Sequence, residues 1–380
     1  MPLTVRRSVE VVGLLAVGYI FIKGRDIIMP FILAGFLALM LMPIYRKLTG
    51  FGIPKTVAIL VSVITLILIV SGITVLLSFQ VAGLLNDVPQ MQKNLNAHWN
   101  SISHWIADQW NIPIRKQLDV INKQLNGLTN NIIGLLQGAA VSLSGVFVFI
   151  GLVPIYIFLI MSYKEQLSEF VFLWFKKDSH HKVDQSFHET QVIVKYYLGG
   201  LLIQITYLTI LLGGALFLFG IKHALLIGLV FAILNLVPYI GALIGNIIGV
   251  LVTLTSSQQL WQVWVVLGTI AVVQFLDNNI LMPRIVGSKV KINALASIAG
   301  IIIGGAMAGV AGMFLSIPIM AVLKIVFDKS ESLCQWGVLL GEPDAAKNKN
   351  DNSQGVVDKI KNTLAEQRDD ELNDKRSTES

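Results

Sequence analysis

Eight stretches of the chain, at about residues 8–22, 27–45, 55–83, 138–162, 196–220, 224–254, 260–282 and 292–327, are almost wholly apolar. Several reach or exceed the roughly 20 residues that a helix needs to cross a hydrocarbon layer about 30 Å thick. Runs of that length decide the solvent before they decide the fold. A chain of 380 residues that is 54% hydrophobic and only 14% charged, with a mean hydropathy of +0.70, carries more apolar surface than a water-soluble core can hide. The runs are continuous, which reads as helices and not as a barrel. The expected fold class is an all-α integral membrane protein with eight hydrophobic segments and a helical extramembrane lobe.

Two of the segments do not read as single spans. Residues 224–254 and 292–327 are longer than a straight crossing needs, and both carry interior breakers. Pro238, Gly241 and Gly245 interrupt the first; Gly304, Gly305, Gly309, Gly312 and Pro318 interrupt the second. Broken backbone at membrane depth is tolerated where it is buried in protein or lines a wet cavity, so each segment is expected to be a broken or re-entrant helical hairpin beside a site.

Basic flanks test that expectation, because loops rich in Lys and Arg stay on the cytoplasmic side. Arg6, Arg7, Arg46, Lys47 and Lys55 then lie inside and residues 84–137 outside. The stretch 163–195, with Lys164, Lys176, Lys177, Lys182 and Lys195, returns inside. A plain span at 224–254 would send Arg284, Lys289 and Lys291 outside, whereas a hairpin keeps them in and leaves the C-terminal tail inside as well. Arg6 and Arg7 before Val11–Ile22 resemble a signal peptide, but Ile20, Phe21, Ile22 and Lys23 supply no small-residue cleavage site, so this segment is expected to be retained.

The chain divides accordingly into N-terminal transmembrane segments (1–83), a lobe (84–137), a transport core (138–330) containing the cytoplasmic amphipathic stretch 163–195, and a polar tail (331–380). In the lobe Leu95, Trp99, Ile102, Trp105 and Ile106 recur at spacings of 3 and 4, with Trp110 and Pro113 beyond them, as in an amphipathic helical pair. The tail is rich in Asn, Asp, Lys and Glu and is expected to be largely disordered, with a weak helix at Val357, Ile360 and Leu364. The net charge of +6 and pI near 9.2 do not indicate nucleic acid, since no basic cluster is interleaved with aromatics. One cysteine, Cys334, leaves no internal disulfide and gives no support to a metal site.

Chemistry concentrates at Gln274, Asp277, Asn278 and Asn279, inside an apolar stretch and followed by Pro283 and Arg284. An ionised Asp near mid-membrane costs roughly 2.5–3.5 kcal/mol on insertion scales, so it needs a partner, a proton or a cavity. Helical spacing puts Gln274, Asp277 and Asn278 on one face. The functional reading makes Asp277 a carrier of a proton or cation; the structural one pairs it with Arg284. A second polar set, Asn235, Pro238, Tyr239, Gly241, Gly245 and Asn246, opens a helix whose freed carbonyls could meet a cation, or it only kinks a span. The small residues from Gly300 to Gly312 permit close packing of backbones or a sliding surface. Enzyme readings find little: His188 and Glu189 lack a second His at Val192, Asp277 has no second membrane carboxylate, Ser144 has no partner His, and no phosphate loop appears. No cofactor is expected.

Three stretches resemble the autoinducer-2 exporter family: Asn-Leu-Val-Pro-Tyr-Ile-Gly at 235–241, Gln-Phe-Leu-Asp-Asn-Asn-Ile-Leu-Met-Pro-Arg-Ile-Val-Gly at 274–287, and Gly-Met-Phe-Leu-Ser-Ile-Pro at 312–318. With the eight-segment layout and the insert after the third segment, the resemblance spans about residues 5–330. Ala242 stands where the family pattern commonly has Pro. The resemblance implies a permease-like protein of bacterial inner membranes, in a homo-oligomer with pentamers among the expected forms. Some members export autoinducer-2, and others are linked to sodium or proton antiport. It does not by itself name a solute. The reading that follows is a secondary transporter with Asp277 at its centre and Asn278, Asn279 and Gln274 supplying hydrogen bonds; a channel-like pore or a non-transporting scaffold is the alternative.

Overall fold

The computed structural model describes residues 18–110, 143–285, 292–330 and 333–341, together with Val12, Gly13 and Ala16. Most of the expected first segment, the second half of the lobe, the loop with Lys289 and Lys291, and the tail from residue 342 lie outside the described residues; the start of the tail, expected to be largely disordered, is instead the helix Cys334–Leu340. Among the described residues the secondary structure is helical, with no strand. The helices are α1 (Arg25–Gly50), α2 (Lys55–Asn86), α3 (Val88–Trp110), α4 (Leu143–Ser162), α5 (Lys164–Leu173), α6 (His180–Leu208), α7 (Gly214–Leu218), α8 (Ala224–Leu234), α9 (Ile240–Ser256), α10 (Trp261–Leu276), α11 (Met282–Ile285), α12 (Ala294–Lys329) and α13 (Cys334–Leu340). Two π-helical turns, Thr209–Gly213 and Asp277–Leu281, join α6 to α7 and α10 to α11.

Among the described residues five helical stretches are long and apolar enough to cross a membrane: α1, α2, Lys177–Leu218, Trp261–Arg284 and α12. The chain is a multi-pass membrane protein. The described residues do not display eight spans. Residues 151–162, α8 and α9 are shorter apolar helices, and α8, at about 17 Å, is too short to cross alone. Polar side chains inside the long spans are satisfied locally. Ser62, Thr65, Thr74 and Ser78 of α2 each donate to the carbonyl four residues earlier, at 2.8–2.9 Å, which removes the cost of an unpaired hydroxyl in hydrocarbon.

In two places the chain turns back on itself. A Cβ at Gly245 would meet the Phe231 ring at 2.6 Å and one at Gly249 would meet Ile227 at 3.3 Å, so α8 and α9 lie antiparallel. Within α12, Ala308 and Gly309 leave helical geometry (Gly309 at φ +60°), and a Cβ at Gly304 would sit 2.5 Å from the Gly312 carbonyl oxygen. Eight residues of straight helix would hold those positions about 12 Å apart. Although α12 counts as one helix by length, residues 294–307 and 310–329 are therefore two arms of a hairpin, with glycine where the backbones touch.

The two hairpins are rooted at opposite ends of the bundle. Lys222 Nζ and His223 Nε2 lie 2.8 and 3.0 Å from Asp87 Oδ2, tying the start of α8 to the α2–α3 corner. At the other root, Asn94 Nδ2 donates 3.0 Å to the Thr255 carbonyl and the His98 ring meets the Ser257 carbonyl at 2.7 Å. The end of a helix leaves carbonyls without internal partners, and α3 supplies them. On α3, Met91, Asn94, His98 and Ser103 face inward, while Ile102 and Trp105 are exposed. The root of α12 lies at the opposite end, where Asn293 accepts Ala296 N–H as its cap and donates 2.7 and 2.9 Å to the carbonyls of Leu339 and Gly341. Lys329–Glu189, Lys55–Glu165 and Arg46–Gln191 gather there too.

The Asp87 cluster has a pH signature. Hydrogen bonding to Lys222 holds the Asp87 carboxyl below its usual range, and burial lowers His223. Both groups bind fewer protons in the folded protein than in the unfolded chain between the two pKa values, so acidification destabilises it. The His223 contribution should fade as pH falls below about 6.5 and the Asp87 contribution below about 3.9. Lys222→Ala, at a half-exposed position, should cost under ~1 kcal/mol. Hydrogen exchange of the α8 root at pH 7.5, 5.5 and 3.5 would check this; unchanged protection across the series contradicts it.

Candidate functional site

The tips of both hairpins converge on α6. Leu236, at the first tip, and Ala308, at the second, pack against the same buried cluster that contains Leu198, Leu201 and Leu315. Beside the first tip stands Asp277, only 1% exposed, at the start of the second π turn. Single π turns inside α-helices shift the register of side chains and recur at functional sites.

The Asp277 carboxylate accepts three hydrogen bonds from neutral groups. Gln204 Nε2 donates at 2.9 Å and Asn235 Nδ2 at 3.1 Å, both to Oδ2, and the Tyr207 hydroxyl donates to Oδ1. Hydrogen bonds to a charged group contribute about 1.5–3 kcal/mol each, enough together to offset the burial of the charge. Gln204 Oε1 is buried with no partner among the described residues.

Asn235 reaches Asp277 because the chain breaks directly after α8. Ile240 N–H donates 2.7 Å to the Pro238 carbonyl, closing a three-residue turn around Tyr239 at φ +65°, ψ −56°. This positive-φ γ-turn is rare and, for a non-glycine residue, costs on the order of 1–3 kcal/mol. Gly241 is required next, because any Cβ there would collide with the Leu234 carbonyl oxygen. Strain held at the hairpin tip, next to a buried acid, marks the place where the fold gives up stability for geometry.

Not every expected site residue joins this cluster. Gln274 Nε2 donates 3.0 Å to Asn278 Oδ1, and Asn279 donates to the Phe275 carbonyl; Asn278 and Asn279 are exposed and Gln274 is half-buried, while Asp277 turns inward. Arg284, the expected charge partner, is exposed and forms no ion pair with Asp277. Tyr239 is 58% exposed and shapes the turn without touching the carboxylate. Gly245, Gly304, Gly305, Gly312 and Pro318 lie within the hairpin arms, with Gly309 at the second tip. Sequence reading missed Gln204 and Tyr207. The signal was present, as two polar side chains three apart inside the apolar stretch 196–220.

The AI-2E family transporter model matches residues 11–332 of this sequence. The chain is similar to YrrI of Bacillus subtilis (strain 168), with 26% identity over 80% of this chain and 86% of the relative. YueF of the same organism is 29% identical over 78% of this chain and 82% of its own length. The AI-2 transport protein TqsA of Escherichia coli (strain K12) is 27% identical over 32% of this chain and 35% of TqsA.

Proposed function

Because the chain belongs to the AI-2E family of transporters, we propose that it is a secondary transporter that exports a small polar solute of the autoinducer-2 type, driven by a proton or sodium gradient. One observation carries this reading: a buried carboxylate held by three neutral donors, one of them from the tip of the first hairpin. Such an acid can take up and release a charge without a fixed cation competing for it. The hairpins then enter the membrane from opposite faces, and Asp277 with both tips moves as a unit against α1, α2 and α4 in alternating access. The end with Arg46, Lys55, Lys164 and Lys329 is the cytoplasmic one in a bacterial inner membrane, with both termini on that side. Membrane lipids surround a homo-oligomer, pentameric in the form the family resemblance implies.

Inverted vesicles bearing the protein should accumulate autoinducer-2, and a protonophore should abolish the accumulation. In the same vesicles a cysteine at Lys177, placed in a Cys334→Ser background, should react with a membrane-impermeant thiol reagent. Accumulation equal to that of empty vesicles would reject the solute, and an unreactive cysteine would reject the orientation. Sodium for proton exchange is the second reading. Its support is the Asp277 carboxylate with only neutral hydrogen-bond partners, which offers a cation a site as readily as a proton. Sodium-driven acidification in the same vesicles, without autoinducer-2 uptake, would select it.

A further inference from the structure

Between α1, α2, α4 and α6 the bundle leaves a cavity of about 430 Å³. Met40, Val70, Val153 and Leu201 form its walls, and both hairpins reach it, through Leu236 and Phe314. The polar side chains on the wall are those of Ser71 and Thr74, and Thr74 Oγ1 is already committed to the Val70 carbonyl at 2.9 Å. A water molecule needs two to four polar partners, which this wall does not provide. Left empty, the wall atoms would forfeit dispersion contacts. An apolar occupant is the chemistry that fits.

The shape and the mouth say which one. Along α2 the wall runs from Leu66 to Val75, about 13 Å of helix, so the cavity is elongated parallel to the bundle. Leu66 is buried, whereas Val70 and Val75 are 47% and 54% exposed, so the cavity opens past them. Val70 stands near the midpoint of α2, roughly 23 Å from either end, where the surrounding medium is hydrocarbon. We propose that this cavity seats one acyl chain of a membrane phospholipid, which enters sideways from the bilayer. The site stands apart from the chemistry of Asp277 and holds whether or not that carboxylate carries a proton. A chain seated between α1, α2, α4 and the hairpin tips would also have to yield whenever the tips move, which makes the rate of movement depend on the lipid.

Native mass spectrometry of the full-length protein, extracted in mild detergent from vesicles of palmitoyl-oleoyl-phosphatidylglycerol and washed to remove annular lipid, tests the proposal. Wild type should retain at least one phospholipid per chain. Ser71→Phe, entering from α2, and Leu37→Phe, entering from α1, should each lose one retained lipid per chain. Leu68→Phe, on the exposed face and off the wall, should keep the wild-type number. If one filling variant does not fold, the other and the wild type still decide. No retained lipid on wild type, or equal numbers on wild type and a folded filling variant, overturns the proposal. So does loss of the oligomer without loss of lipid in a folded filling variant, since a second copy would then be the occupant.

Discussion

Asp277→Asn should reduce gradient-driven flux to the level of empty vesicles and remove its pH dependence, while the protein remains folded. The substitution preserves shape but replaces one acceptor oxygen with a donating NH₂ that cannot change charge. Gln204, Tyr207 and Asn235 all donate toward that position, so at least one donor would lose its acceptor. An unsatisfied buried donor costs about 1–3 kcal/mol, which is tolerable in a protein held by long apolar helices. Folding and function can therefore be separated by measuring the elution volume and the flux of the same preparation. Tyr207→Phe makes the contrast, because it removes one hydrogen bond and leaves the titrating group, so flux should fall but keep a pH dependence. Wild-type flux with unchanged pH dependence in Asp277→Asn would remove this carboxylate from the mechanism.

The other large effect is expected from Gly304→Leu, which should splay the second hairpin and lower stability by ~3 kcal/mol. The obstruction is backbone against backbone: the new Cβ would stand 2.5 Å from the Gly312 carbonyl oxygen and 3.3 Å from Ser316 Cβ. No rotamer change relieves a clash with a main-chain carbonyl, so one arm must move. Gly305→Ala is a milder case, because the nearest atoms there belong to the flexible Met313 side chain, which can give way. Protease accessibility at the α12 tip should rise sharply for Gly304→Leu and little for Gly305→Ala. Equal accessibility in both would mean that the arms do not pack through Gly304.

Much of this organisation was legible in the residues. Runs of 20 or more apolar residues can be solvated only by a bilayer, so helices and their approximate limits follow from hydropathy alone. Pro238 and Gly241, and the glycines from Gly304 to Gly312, signal breaks because proline removes a donor and glycine tolerates close approach and positive φ. A lone acid in an apolar stretch announces itself by its cost, and Asp277 was found on that ground. What the lobe packs against was not legible, because amphipathic periodicity does not reveal that α3 meets the carbonyl-rich end of α9, where Asn94 and His98 are the residues that can bond.

The residues could not reveal the company that Asp277 keeps. Placing it on one face with Gln274 and Asn278 rested on a regular 3.6-residue period, and the π turn at Asp277–Leu281 breaks that period where it matters. Its actual partners come from 42 to 73 residues away, brought in by α6 and by the first hairpin tip. Sequence by itself determined the solvent, the helices, the breaks and the cost of one buried charge, because each follows from local composition and backbone chemistry. Tertiary structure alone decided how that cost is offset, because a hydrogen bond requires two groups within about 3 Å, and only the packing of distant helices sets that distance.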